Sequence, residues 1–283
     1  MQNVRARSGG RTNRKGSDEP VGVFDSGVGG LSVLKEIRKE LPAEDLLYVA
    51  DSASAPYGER SNAFIEQRAA AIAQFLVTRH AKAIVVACNT ATGVAVDMLR
   101  ARFPLPIIGM EPAVKPAASA TKSGVVGVLA TAPTLTSSRF SRLLSQHGAD
   151  VEIVLQPSPR LVDEVERGDL SGGATRALVE EYVRPLLDRG ADTIVLGCTH
   201  FPFLTALIRE VAGPEVLLID PAVAVARELR RRLEAGKLLS SRTTPGSEQF
   251  WTSGRPDNVQ RVISHLLRHQ VTLQSVPPEF CAP

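Results

Sequence analysis

Short apolar runs rich in β-branched residues alternate along this chain with longer stretches whose apolar residues recur at helical spacing. Val21-Gly22-Val23-Phe24 reads as a strand, and Asp25-Ser26-Gly27-Val28-Gly29-Gly30 carries it into a helical segment from Leu31 to Arg38. A strand at 46–50 ends at Asp51, the loop 52–58 follows, and a helix near 61–80 feeds a strand that delivers Cys88. Prolines at 104, 106 and 112 bracket a short strand and a crossing point. Beyond it the pattern predicts a strand at 125–129, a helix near 134–147, a strand at 151–155 and helices near 159–167 and 173–189. A strand delivering Cys198, a helix at 203–212 and a strand at 216–219 close this stretch. Strand and helix in alternation predict an α/β fold built on parallel sheets. The remainder after Pro221 reads as mostly helical, with helices at 222–235 and 257–268 that pack back on the first unit.

The pattern also repeats itself. Ala81-Lys82-Ala83-Ile84-Val85-Val86-Ala87-Cys88-Asn89-Thr90 returns as Ala191-Asp192-Thr193-Ile194-Val195-Leu196-Gly197-Cys198-Thr199-His200. Upstream, Val21-Gly22-Val23-Phe24 is echoed by Val126-Gly127-Val128-Leu129 at a similar offset. A period of about a hundred residues is too long for a solenoid unit and fits a duplicated α/β domain. The expected division is a first domain of residues 21–112 plus 222–283 and an inserted second domain of 113–221. Two strands ending in matched thiols imply two matched half-sites.

Composition narrows the setting. A chain of 283 residues with 43% apolar content can bury a core for two domains. Three cysteines, an odd count without close pairing or a signal-peptide pattern, indicate a reduced, cytoplasmic protein. No apolar run is long enough to span a membrane. The formal net charge of +3 is concentrated in residues 1–20, where Arg5, Arg7, Arg11, Arg14 and Lys15 face only Asp18 and Glu19. That stretch reads as a disordered basic tail, a solvated leader rather than a nucleic-acid arm.

In open parallel sheets, ligands bind beyond the carboxyl ends of the strands, where Asp25, Asp51, Cys88 and Cys198 all fall. The glycine loop 27–30 fails the GxGxxG spacing, since Ser32 stands where the third glycine belongs. Its remaining uses are a tight turn and backbone N–H groups at a helix start, suited to a carboxylate. His200, two residues after Cys198, can keep a thiol deprotonated or relay its proton. No HxH, CxxC or HExxH spacing supports a metal site, and Cys281 lies outside the repeat. Three chemistries remain: a redox pair, a Cys-His nucleophile with the second cysteine idle, and two thiols on opposite faces of one carbon. The third is racemisation without a cofactor. A substrate α-proton is far less acidic than a free thiol of pKa about 8.5, so the carbanion needs strong stabilisation by aimed donors.

Asp25-Ser26-Gly27-Val28-Gly29-Gly30-Leu31, Pro56-Tyr57-Gly58, Ala87-Cys88-Asn89-Thr90-Ala91 and Gly197-Cys198-Thr199-His200-Phe201-Pro202, in this order, resemble the glutamate racemases of the aspartate/glutamate racemase superfamily. The likeness runs from about residue 21 to 270 and takes in Glu111-Pro112-Ala113-Val114-Lys115-Pro116-Ala117 and Phe250-Trp251-Thr252-Ser253-Gly254. It implies two similar parallel-sheet α/β domains with the active site in the cleft between them, interconverting L- and D-glutamate for peptidoglycan synthesis. By the same resemblance, Cys198 takes the proton from L-glutamate and Cys88 from the D-isomer. Asp25 and His200 assist their neighbouring thiols, and Asp51 and Glu166 match acidic supporting positions. Asp25, Ser26, Tyr57, Gly58, Asn89, Thr90, Thr199 and His200 match substrate-binding positions. Neither a metal nor a cofactor is implied. A homodimer and regulation by a cell-wall precursor are compatible with the family. The chain departs from many members at Ser54, where they carry arginine. The competing readings are a racemase for aspartate or another amino acid, a Cys-His hydrolase, and a binding role for the basic tail.

Overall fold

The computed structural model describes residues 17–148 and 150–282. Within them the strands are β1 (Val21–Asp25), β2 (Leu46–Ala50), β3 (Ala83–Val86), β4 (Ile107–Gly109), β5 (Val125–Ala130), β6 (Glu152–Pro157), β7 (Thr193–Leu196), β8 (Leu217–Ile219), β9 (Glu248–Thr252) and β10 (Leu273–Ser275). The helices of the first part are α1 (Leu31–Glu40), α2 (Asn62–Thr78), α3 (Asn89–Arg102) and α4 (Val114–Ala120). Then come α5 (Ala132–Thr136), α6 (Ser138–His147), α7 (Arg160–Arg167), α8 (Gly173–Asp188), α9 (Thr205–Ala212), α10 (Ala222–Ala235) and α11 (Pro256–Leu267).

Two fully parallel sheets result, ordered β10-β9-β2-β1-β3-β4 and β6-β5-β7-β8. Numbered within each repeat, both contain the order 2-1-3-4. The central strands are buried along their whole length, as strands covered by helices on both faces must be. Even the glycines correspond. A Cβ on Gly22 would stand 2.9 Å from Leu76 Cδ1 of α2, and one on Gly127 would stand 2.7 Å from Leu186 Cδ1 of α8. Each half thus seats its long helix against a bare point of its first strand.

Several elements differ from the sequence pattern. The segment read as one helix at 134–147 is two, because Ser137 leaves helical geometry and its hydroxyl caps α6 by accepting from Phe140 N at 3.1 Å. The helix read at 203–212 begins with a 3-10 turn at Phe201–Leu204. The remainder after Pro221 is not only helical: β9 and β10 extend the first sheet beside β2. These strands are short and carry Glu, Gln and Ser, so no apolar run announced them. Helix α10 lies along α1. Of the tail read at 1–20, residues 1–16 lie outside the described residues. Ser17 and Pro20, by contrast, accept hydrogen bonds from Lys82 Nζ at 2.5 Å and Lys82 N at 2.9 Å.

The two cysteine strands are anchored at their amino ends by different devices. Before β3, the buried Lys82 ammonium pairs with the buried Glu44 at 2.5 Å. Before β7, Asp192 accepts from Thr121 Oγ1 at 2.6 Å, from Lys122 N and Ser123 N at 2.7 Å each, and from Thr193 Oγ1 at 3.0 Å. Partial burial opposes the charged form, but these four donors outweigh it and lower the Asp192 pKa from 3.8 to about 2. The folded pKa lies below the unfolded one, so the stabilisation is complete above pH 3.8 and fades as pH falls towards about 2. Solvent screening at this part-exposed site reduces it to about 1–2 kcal/mol. Asp192→Asn is therefore expected to lower unfolding free energy by that amount at neutral pH. The difference from the parent protein should vanish near pH 2, as measured by denaturant titration across pH.

Candidate active site

Loops from both sheets converge at the carboxyl ends of β1, β3, β5 and β7. They enclose a cavity lined by Ser26, Pro56, Tyr57, Gly58, Cys88, Asn89, Thr90, Thr131, Thr134, Val162, Gly197, Cys198, Thr199 and His200. Its volume is about 20 Å³, room for a water or so. Both thiols of the repeat open onto it.

Cys88 is the N-cap of α3, and its sulfur accepts from Ala91 N at 3.4 Å with Ser26 Oγ 3.8 Å away. A helix start favours an anionic sulfur. Burial, and next the negative charge of Asp25, outweigh that help and push the Cys88 thiol far up, so it holds its proton. Cys198 sits differently. Its sulfur lies 3.6 Å from His200 Nδ1, and His200 Nε2 lies 2.7 Å from Glu166 Oε1 in the last turn of α7. Burial disfavours the imidazolium, yet its hydrogen bonds to Cys198 and Glu166 prevail and raise the His200 pKa well above 6.5. One thiol is therefore neutral, and the other has a protonated imidazole as its partner.

The first half presses its glycine loop onto this pair. Glu166 Oε1 accepts a second hydrogen bond from Val28 N at 2.8 Å, while Ser32 Oγ donates to Thr199 O at 2.9 Å. A Cβ on Gly27 would lie 1.8 Å from Glu166 Oε1, and one on Gly29 would lie 2.4 Å from His200 Nδ1. A side chain at either position would displace Glu166 or His200 from these contacts. Asp25 Oδ2 accepts from Gly30 N at 2.8 Å and Thr199 Oγ1 at 3.4 Å; full burial raises the Asp25 pKa despite His200 nearby. Among the described residues, buried Asp25 Oδ1 and Asn89 Oδ1 find no hydrogen-bond partner. Of the two, Asn89 lines the cavity, where its unmet acceptor is complementary to a donor such as an ammonium group.

The pattern of Asp/Glu/hydantoin racemases matches residues 21–229. The chain belongs to that family. It is 54% identical to the glutamate racemase of Methylococcus capsulatus over 94% of this chain and 98% of the relative. Its fold matches a glutamate racemase isoform of Bacillus anthracis with a TM-score of 0.85 at 31% identity, over 93% of this chain and 99% of that one. It also matches Escherichia coli glutamate racemase in complex with L-glutamate and the activator UDP-MurNAc-Ala, with a TM-score of 0.80 at 33% identity, over 91% and 98% of the two chains.

Within this racemase fold, the residues singled out from sequence occupy two layers. Ser26, Tyr57, Gly58, Cys88, Asn89, Thr90, Cys198, Thr199 and His200 line the cavity itself. Asp25 and Glu166 stand directly behind Thr199 and His200. Asp51 is farther back: fully buried, it accepts from Tyr57 OH at 2.6 Å and pairs with Arg68. Sequence reasoning missed Thr131 and Thr134. Their hydroxyls form a triangle with Thr90, at 2.9 Å between Thr90 and Thr131, 2.9 Å between Thr131 and Thr134 and 3.3 Å between Thr90 and Thr134. The signal was present, because laying Val126-Gly127-Val128 on Val21-Gly22-Val23 places Thr131 on Ser26.

Glu166 raises the His200 pKa, so Glu166→Gln should shift imidazole deprotonation to lower pH. An NMR titration of the ring nitrogens checks this, with an unmoved midpoint counting against the assigned contact.

Proposed function

We propose that the protein interconverts L- and D-glutamate by a cofactor-independent, two-thiol mechanism. The observation that carries this reading is the placement of the two repeat-related cysteines on one cavity, Cys88 with its thiol pushed up by burial and Cys198 beside the His200 imidazole held by Glu166. The relatives named glutamate racemase and the L-glutamate complex of the Escherichia coli enzyme support the choice of substrate.

In the L to D direction, Cys198 as thiolate removes the α-proton; the C–H bond breaks and an S–H bond forms. His200, charged and held by Glu166, stabilises that thiolate before transfer. Cys88, neutral in the buried site, gives its proton to the opposite face, and its S–H bond is replaced by a new C–H bond. The reverse reaction exchanges these roles. The substrate ammonium is matched by the unmet Asn89 Oδ1 on the cavity wall, and the hydroxyls of Thr90, Thr131 and Thr134 face a carboxylate. Dry surroundings strengthen every one of these contacts at the moment the carbanion forms. Entry of glutamate into so narrow a cavity and its enclosure during turnover would come from the two halves parting and closing again.

The domain division at 112 and 221 belongs to the same proposal, as do a cytoplasmic location and a role in supplying peptidoglycan synthesis. Among the described residues no helix is long and apolar enough to cross a membrane. The activator in the Escherichia coli complex makes UDP-MurNAc-Ala the effector to test.

Incubation with L-glutamate in D2O without added cofactor should give loss of optical rotation together with loss of the α-proton signal. Cys88→Ala and Cys198→Ala should each reduce racemisation by about 10³-fold or more, the scale of positioned acid–base catalysis. Full racemisation by Cys88→Ala would overturn the two-thiol mechanism, exchange with aspartate alone would keep the mechanism and change the substrate, and no exchange with either would favour the Cys-His hydrolase. Gly29→Ala, which drives a methyl group into His200, should cut kcat about 100-fold while the protein stays folded by circular dichroism.

A further inference from the structure

Asp51 was singled out as a supporting acid, yet what surrounds it is a chain of contacts leading away from the cavity to the far end of the polypeptide. Arg68, on α2, has a side chain with no solvent exposure. Its Nε donates to Asp51 Oδ2 at 3.0 Å and its Nη2 to Asp51 Oδ1 at 2.8 Å, a two-pronged pair that fixes the carboxylate plane. Its Nη1 donates to the carbonyl oxygens of Phe280 at 2.8 Å and Ala282 at 2.9 Å. Asp51 Oδ2 in turn accepts from Tyr57 OH at 2.6 Å, and Tyr57 is a wall of the cavity.

We propose that Arg68 is a positioning residue for the cavity loop Pro56-Tyr57-Gly58, and that residues 276–282 hold Arg68 in place. The proposal rests on the racemase reading for what the loop grips, but the mechanical link is a property of the fold. A lone Arg68–Asp51 pair would leave Nη1 buried without an acceptor, at a cost that burial makes severe. The two chain carbonyls supply what that nitrogen needs. The terminal segment is itself held, since Val276 N donates to Thr252 O at 2.8 Å and Phe280 packs on Phe75 with ring centroids 5.6 Å apart. Phe75 stacks edge-on against Trp251 at 5.1 Å. Trp251 is the single tryptophan of the chain, so its emission reports whether the segment is docked.

The loop lies between Asp51 and α2 and is built from short-range bonds, such as Ser54 N to Asp51 O at 2.9 Å and Arg60 N to Tyr57 O at 3.1 Å. Fixing the Asp51 carboxylate therefore fixes the loop at its start and, through the phenol, at its middle. A substrate group held by such a loop is held equally in the ground and transition states. Loosening it raises KM more than it lowers kcat.

Two variants test this: Arg68→Lys, which keeps the charge and loses the two-pronged geometry, and deletion of residues 280–283, which leaves the Arg68–Asp51 pair intact. Trp251 emission, compared between the parent protein and the deletion variant, reports the loss of Phe280 packing on Phe75 beside the indole. Amide hydrogen exchange is then followed for residues 52–60 and for strand 46–50, and KM and kcat are measured with L-glutamate. In both variants exchange at Ser54, Glu59 and Arg60 should accelerate about tenfold or more with the strand unchanged. KM should rise roughly fivefold with kcat within about twofold. Unchanged loop exchange in the deletion variant overturns the link, and so does a loosened loop with unchanged KM. Should the parent protein turn over no glutamate, the racemase reading falls by itself and the exchange comparison still decides the link.

Discussion

A single carboxylate oxygen joins the two halves of this molecule at the point where its chemistry is concentrated. Glu166 Oε1 accepts from Val28 N in the loop after β1 and from His200 Nε2 in the loop after β7. If the halves part, it loses the first donor; if His200 loses its proton, the second contact changes character. The electrostatic state of Cys198's partner and the closeness of the two sheets are thus linked through one atom. The bare backbone of Gly27 and Gly29 is a condition for this contact, because a single methyl group at either position would occupy the space of Glu166 or His200.

Around this contact, a symmetric scaffold carries an asymmetric site. Both sheets use the same strand order, both first strands hold a glycine under a long helix, and both third strands deliver a cysteine. The surroundings of the two thiols have diverged. Cys88 caps a helix and feels Asp25, whereas Cys198 leads into a 3-10 turn and faces an imidazole. On the proposed two-thiol reading, removing a proton on one face and supplying one on the other needs one base and one acid at any moment, which the unlike surroundings of the two thiols suit.

Buried polar groups also explain why the outer layer matters. Asp51 and Arg68 are both fully buried, and each is satisfied by partners separated widely in sequence: Tyr57 on one side, the carbonyls of Phe280 and Ala282 on the other. Such a network is stable only when complete, because a half-satisfied member carries its desolvation cost alone. The cavity wall at Tyr57 is consequently tied to a chain segment more than 200 residues away in sequence.

The α/β class, the parallel sheets and the internal duplication were legible along the chain, since a doubly covered strand must be a continuous apolar run and a repeat must repeat. Cys88, Cys198 and the small residues after them were legible for the same reason: the ends of buried parallel strands are where ligands bind. Strands β9 and β10 were not, because their short, polar sequences become strands only by lying against β2. Nor were the Thr131–Thr134 pair and the Arg68 network, whose members are neutral or ordinary until distant segments bring them together. Sequence by itself determined which residue types stand at the strand ends. Tertiary structure alone decided which thiol keeps its proton and which faces an imidazolium, because burial and the fields of Asp25 and Glu166 act through space and not along the chain.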